Sequence, residues 1–418
     1  MSPSLAQIFA VFLKIGLLSF GGPAAQIALM HRMLVDERGW LTEKQFLNAL
    51  SFCMLLPGPE AMQLATYSGW RLHGVLGGLI AGLLFVLPGA AVIFALALLY
   101  VTYGDVPLVG TLFLGVQAVA VVIVVEALLK VSKRALHGTA HWVLAGLAFV
   151  AIFFFAVPFP VIVLVAGLYG AVMISNTDAS PALPITVSTG GSLSTIAIGL
   201  AVWGLPVLAV DLLFNGTILT EIALFFSKLA VVTFGGAYAV LAYMAQDVVG
   251  LYGWLTPNEM MDGLGLAETT PGPLILVTQF VGILAAFREG GYGLAIAGGA
   301  MTLWVTFVPC FLWIFVGAPY IEWISAQPRL SGALRAITAA VVGVILNLSL
   351  WFALHVLFGT VTEAQAGLLR LWVPDAATLN WQALTLIGLS AVLLLRVHLA
   401  IGWALGISAA AALVLAQI

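Results

Sequence analysis

Two lysines, Lys14 and Lys228, each fall inside an otherwise apolar segment, and a shift of 214 residues lays one on the other. An ammonium at such a place is costly and usually functional. Paired cations facing a central cavity would attract an anion; the competing reading runs each long side chain out to the lipid interface. The same shift superimposes Pro57-Gly58-Pro59 on Pro271-Gly272-Pro273. Two prolines around a glycine end an α-helix, because amide donors are lost and the rings clash with the preceding turn. Pro59 and Pro273 suit the first position of a new helix. The N–H groups that follow, at Glu60–Gln63 and Leu274–Val277, would form a helix N-terminus, which favours anions. A kink packed against its neighbours is the plainer alternative.

A second pair of breaks is Phe20-Gly21-Gly22-Pro23 and Phe234-Gly235-Gly236. Gly-Gly permits left-handed backbone and close approach of a ligand; tight helix packing through small residues competes. Pro23 restarts a helix, whereas Ala237 stands at the equivalent place. Glu60 and Glu268 flank the two Pro-Gly-Pro turns. They could exchange protons, since burial raises a carboxylate's pKa, or could cap helix N–H groups. Gln63, Thr269, Thr270 and Gln279 add neutral groups for oxyanion oxygens. The six histidines show no metal spacing, and His137 and His141 lack a third ligand. No Walker loop, G-x-S-x-G or C-x-x-C is present, so neither catalytic residues nor a cofactor are expected. Cys53 and Cys310 lie in apolar segments and read as small core residues.

The elements that must position these residues follow from composition. Of 418 residues, 63% are hydrophobic and 7% charged, with 14 Lys+Arg against 17 Asp+Glu. Mean hydropathy is +1.17. Soluble domains carry about a quarter charged residues, so a soluble enzyme, a nucleic-acid-binding protein and a disordered chain are excluded. Lipid admits only helices or closed barrels, and long continuous apolar stretches favour helices over the alternation of a barrel. Met1–Leu5 has no basic cleavable leader, so the first apolar segment is expected to stay in the mature protein.

Thirteen apolar segments can be drawn: 5–34, 46–70, 74–103, 107–130, 141–157, 160–175, 193–214, 219–246, 260–287, 292–317, 332–358, 381–395 and 398–417. The pairs 141–175 and 381–417 are expected to be hairpins of short or tilted helices. Gly39-Trp40-Leu41-Thr42 also recurs as Gly253-Trp254-Leu255-Thr256, and Pro88 matches Pro309. The expected organisation is a first membrane repeat at 1–175, a polar linker plus connecting helix at 176–218, and a second repeat at 219–418. Arg32, Arg38 and Lys44 become Gln246, Tyr252 and Asn258 in the second copy. Reversed loop charge predicts an inverted second copy under the positive-inside rule. If 5–34, 46–70 and their counterparts re-enter rather than span, ten Lys/Arg face the cytoplasm, two (Arg288 and Arg370) face out, and Lys14 and Lys228 lie within the membrane. Full spanning splits them five to seven. The fold class expected is therefore all-α and polytopic, two inverted repeats with broken or re-entrant helices.

Phe20-Gly21-Gly22-Pro23, Pro57-Gly58-Pro59-Glu60-Ala61-Met62-Gln63-Leu64, Trp70 with His73-Gly74, and Gly77-Gly78-Leu79-Ile80-Ala81-Gly82 leading to Phe85-Val86-Leu87-Pro88 resemble the first-half signature of the chromate ion transporter family. Phe234-Gly235-Gly236 and Thr270-Pro271-Gly272-Pro273 resemble the other domain of its long-chain, two-domain members. The resemblance covers nearly the whole chain. It departs at Met62, where the family pattern implies Gln, which removes one polar candidate. It implies an inner-membrane, multi-pass efflux transporter that lowers cytoplasmic chromate, with sulfate or another oxyanion as the alternative cargo. Partners would be chromate and the lipid bilayer, with no nucleic acid; a homodimer stays open. An intramembrane lipid-phosphate flippase or enzyme is the remote alternative.

Overall fold

A computed structural model describes residues 3–104, 106–173, 189–214, 216–234, 237–321, 324, 327–367 and 369–417. Most of the expected linker, and both Gly235 and Gly236, lie outside the described residues. The protein is an all-α, multi-pass membrane protein. Five helical stretches among the described residues are long and apolar enough to cross a membrane: Glu60–Tyr103, Pro107–Ala135, Ser192–Leu213, Leu274–Tyr320 and Pro328–Leu357.

The chain divides into two compact units. The first combines Met1–Leu98, Ser175–Ala237 and Thr270–Ser331; the second combines Leu99–Ile174, Tyr238–Thr269 and Gly332–Ile418. Each unit draws on both halves of the sequence.

The first unit holds α1 (Leu5–Leu18), α2 (Gly22–His31), α3 (Glu43–Cys53), most of α4 (Glu60–Tyr103), α8 (Thr189–Phe214), α9 (Ile218–Val232) and α12 (Val277–Gly317). Helix α1 starts at a capping box: Ser4 Oγ accepts from Gln7 N at 3.3 Å, and Ser4 N donates to Gln7 Oε1 at 2.8 Å. Helix α9 lies along α12, with α8 against both.

Neither α4 nor α12 is a single rod. At His73 and Gly74 the backbone leaves helical geometry (Gly74 φ +60°, ψ −152°), and at Gly290 and Gly291 it does the same (Gly291 φ +67°, ψ −157°). The chain doubles back there. A Cβ on Gly69 would sit 2.2 Å from Gly77 O, and one on Gly298 would sit 2.6 Å from Gly282 O. In a straight helix residues 69 and 77 would be about 12 Å apart. The first arm of α4, residues 60–72, and that of α12, residues 277–289, are thus about 20 Å long, short of the ~30 Å apolar core of a bilayer.

The second unit holds α5 (Pro107–Ala135), α6 (Thr139–Phe155), α7 (Phe159–Met173), nearly all of α10 (Ala237–Ala245), α11 (Pro257–Thr269), most of α13 (Pro328–Leu357), α14 (Trp381–Ala391) and α15 (Ile401–Leu415). Helices α6 and α7 form the expected short hairpin, turning at Ala156 with φ +51°. Residues 117–124 of α5 are buried on every side, as expected of a helix with apolar character all round. Val119, Val122 and Ile123 pack with Leu394, Ala404 and Leu405 of the C-terminal hairpin. An antiparallel ribbon, β1 (Val361–Ala366) with β2 (Leu369–Pro374), follows α13. The ribbon falls between the apolar segments 332–358 and 381–395, and the alternating Leu369, Leu371 and Val373 after Gly367 (φ +66°) are its sequence signal.

The repeated Gly-Trp-Leu-Thr stretches are helix starts. Gly39 and Gly253 have φ of +60° and +62°, and Thr42 and Thr256 cap α3 and α11 through the N–H groups of Gln45 and Glu259. Each follows a π-helical turn, Arg32–Asp36 or Gln246–Leu251.

Gly74 and Gly291 occupy a backbone region open in practice to glycine alone. Gly74→Ala or Gly291→Ala should each lower stability by about 1–3 kcal/mol, read as a fall in melting temperature of the detergent-solubilised protein. Gly290→Ala, at φ −158°, should change it far less.

Candidate functional site

The first break opens where α1 ends. Ser19 leaves helical geometry with φ −78° and ψ +64°, followed by Gly21 and Gly22 at φ +86° and +77°. The second opens after α9 at Thr233, with φ −74° and ψ +76°. The two are built alike: Phe20 N donates to Leu18 O and Phe234 N to Val232 O, both at 2.9 Å. Ser19 Oγ donates to Ile15 O at 2.6 Å, and Thr233 Oγ1 donates to Leu229 O.

The carbonyls so released are taken up crosswise, all within the first unit. Gly272 N, in the second Pro-Gly-Pro turn, donates to Ser19 O at 2.8 Å; Gly58 N, in the first, donates to Thr233 O at 2.9 Å. The glycines reach these carbonyls with φ of +122° (Gly58) and +92° (Gly272), where a side chain would be strained. Their surroundings are equally close. A Cβ on Gly58 would lie 2.8 Å from Cys310 Sγ, and one on Gly89 would lie 2.0 Å from Pro271 O. Gly89 and Cys310 each follow one of the matched prolines, Pro88 and Pro309.

The exchange is not fully symmetric. Gln26, 2% exposed, donates from Nε2 to Gly272 O at 2.6 Å and to Ser19 O at 3.2 Å. The equivalent position holds Val240. Gln26, Ser19 and Thr233 were missed by the sequence reading. The signal for the two hydroxyls was present: each stands directly before Phe-Gly at the same 214-residue shift.

Of the expected site residues, Gly21, Gly22 and Pro23 form the start of α2, with Pro23 in its first turn. Pro57, Gly58 and Pro59 lead into Glu60, the half-buried first residue of α4. Gln63 is fully buried; its Nε2 donates to Pro57 O at 2.7 Å, and its Oε1 has no partner among the described residues. Thr270, Pro271, Gly272 and Pro273 are buried, and Pro273 precedes a 3-10 turn, Leu274–Leu276, before α12 begins. Gln279 is 2% exposed with Oε1 likewise unpartnered among the described residues. Some expected backbone donors are already used within their own turns: Gln63 N bonds Pro59 O and Leu276 N bonds Pro273 O.

Thr269 and Glu268 belong to the second unit. Thr269 Oγ1 donates to Leu266 O at 2.6 Å, and the buried Glu268 accepts from Tyr238 Oη at 2.9 Å. Lys14 and Lys228 occupy equivalent exposed faces of α1 and α9, Lys14 with Ala10 and Leu17, Lys228 with Leu224 and Val231.

The chromate transporter family matches residues 6–171 and again 220–415. The chain is similar to a chromate transport protein of Pseudomonas aeruginosa, 37% identical over 350 residues, 82% of this chain and 79% of that protein. A probable chromate transport protein of Synechococcus elongatus is 32% identical over 343 residues, 82% of this chain and 83% of that protein. An uncharacterized transporter of Bacillus subtilis, YwrA, is 29% identical over 170 residues, 40% of this chain and 96% of that protein. No solved structure matches the chain.

Replacing Gln26 by the valine of the equivalent position should cost about 1–3 kcal/mol, because Gly272 O loses its buried donor. Gly89→Cys should be more damaging, since Pro271 O leaves no room, while Cys310→Gly should be tolerated better. Thermal unfolding of the purified variants checks the order.

Proposed function

The chain belongs to the chromate transporter family, and from that premise we propose that it exports chromate across the inner membrane by alternating access around the cross-paired turns. It is a transporter, not an enzyme. The observation that carries the reading is the crosswise bonding of Gly58 N to Thr233 O and Gly272 N to Ser19 O. Interrupted helices are tolerated at membrane depth where they line a cavity or a substrate path, and here both interruptions converge pairwise within one unit.

In this reading the two sequence repeats are inverted with respect to the membrane. The arms on either side of each Pro-Gly-Pro turn, 11 residues in α3 and 13 in α11 and about 20 Å of helix after the turn, re-enter rather than span. The reversed loop charges support that inversion. Lys14 and Lys228, at equivalent places on apolar faces, supply positive charge to the path. The buried Gln63 and Gln279 amides supply neutral hydrogen-bonding groups. A state change breaks and remakes the two inter-turn bonds, exposing the cargo to one side and then the other.

Electrostatics favours outward movement. A dianion leaving a cell at about −100 mV gains about 4.6 kcal/mol, enough for roughly a thousandfold gradient without a coupling ion. Glu60 and Glu268 remain proton-exchange candidates on top of this drive. Sulfate, a tetrahedral dianion, is the competing cargo on shape and charge alone, and competition in inside-out vesicles separates the two.

Lys14→Ala and Lys228→Ala should each cut chromate flux at least tenfold in proteoliposomes with an imposed potential, and should abolish chromate resistance in cells while membrane insertion is unchanged. Full flux in the double variant would remove the lysines from the mechanism. Flux that vanishes when the proton gradient alone is collapsed would replace the electrical drive by proton exchange.

A further inference from the structure

The second unit contains a small pocket that the transport reading does not use. It has a volume of about 70 Å³ and lies among the π-helical turn that begins at Gln246, the middle of α13 and the β1–β2 ribbon. That is several times the space a single water needs, and too little for an organic ligand. Asn347 and Trp351 line it from α13, Glu363 and Arg370 from the ribbon.

Its polar groups are incompletely paired. Among the described residues Arg370 donates one N–H, from Nη2 to Ile152 O at 3.1 Å, and its guanidinium lies 5.2 Å from the centre of the Trp372 ring. Its Nε is buried with no hydrogen-bond partner among the described residues, and so is Gln246 Oε1. A buried donor left unmade costs about 1–3 kcal/mol, more when the group is charged. Arg370 also forms no ion pair among the described residues; Glu363, across the ribbon, acts on it electrostatically from a distance. Burial works against the guanidinium charge, and a bound anion would relieve that. Turning the terminal amide of Gln246 half a turn exchanges its acceptor for two donors, and Asn347 has an amide of the same kind. π-helical turns are often found at functional sites.

We propose that this pocket binds a small oxyanion, held by the Arg370 guanidinium and the amides of Gln246 and Asn347, at a site distinct in its residues from the paired turns of the first unit. Arg370 suits the task because its fork donates two parallel hydrogen bonds to an oxyanion. Glu363 opposes the anion, so the site is set to hold it loosely. The proposal does not rest on the transport reading: a protein that moved no chromate would still bind anion here.

The test uses full-length protein carrying 5-fluorotryptophan in lipid nanodiscs, titrated with sodium sulfate at constant ionic strength. The Trp351 and Trp372 resonances are assigned by Trp→Phe substitution. Both should shift saturably with sulfate and not with sodium chloride. Arg370→Gln should weaken binding about tenfold or more, Arg370→Lys should retain part of it, and Glu363→Gln should tighten it severalfold. A titration of Arg370→Gln that matches the unsubstituted protein overturns the proposal. So does a response to sulfate no different from that to chloride, which would mean that the pocket holds water only. If Arg370→Gln fails to fold, Glu363→Gln decides: unchanged or weaker binding overturns the proposal, and tighter binding upholds it.

Discussion

A helix that stops inside an apolar phase leaves backbone carbonyls and amides that lipid cannot satisfy. The structure of the first unit follows from how that debt of hydrogen bonds is met. Ser19 O and Thr233 O, released by the two Phe-Gly breaks, accept from Gly272 N and Gly58 N. Each Pro-Gly-Pro turn supplies the donor missing at the other copy's break. Glycine is required at the donor positions by their backbone angles, and the small residues Gly89 and Cys310 leave the turns room to approach.

The same constraint explains the hinges. An arm of 13 residues after each turn ends in a reversal at Gly74 or Gly291, and glycine pairs such as Gly69 and Gly77 let the returning helix run alongside. The turns are therefore held by backbone on one side and close-packed helix on the other. Little of this depends on side-chain charge. Lys14 and Lys228 sit on equivalent exposed faces rather than at the turns' contact points.

What could be read in the sequence is whatever repeats at fixed spacing. The paired Pro-Gly-Pro turns and the short C-terminal hairpins of each half were legible because turn chemistry is local: proline removes a donor and glycine allows positive φ. The Gly-Trp-Leu-Thr stretches showed only as a repeat, and the threonine caps emerge with the structure. The crossing of partners was not legible. Nothing in the 214-residue periodicity says whether Gly58 serves Ser19 or Thr233, because that choice is made by tertiary packing. Gln26 was hidden for the opposite reason: its partner position holds Val240, so comparing the copies discards it. The β1–β2 ribbon was overlooked because six-residue strands carry a weak signal next to long apolar helices. The compact units, which mix both halves, likewise follow from long-range contacts and not from composition.

Each break is completed by the opposite copy, so neither half of the chain supplies the partner of its own break. A polypeptide carrying only one half of this chain would possess one break and one turn with no complement of its own. Fusion of two such halves would turn an assembly step between separate subunits into an intramolecular one. Within one polypeptide the two copies are free to differ, as Gln26 and Val240 do.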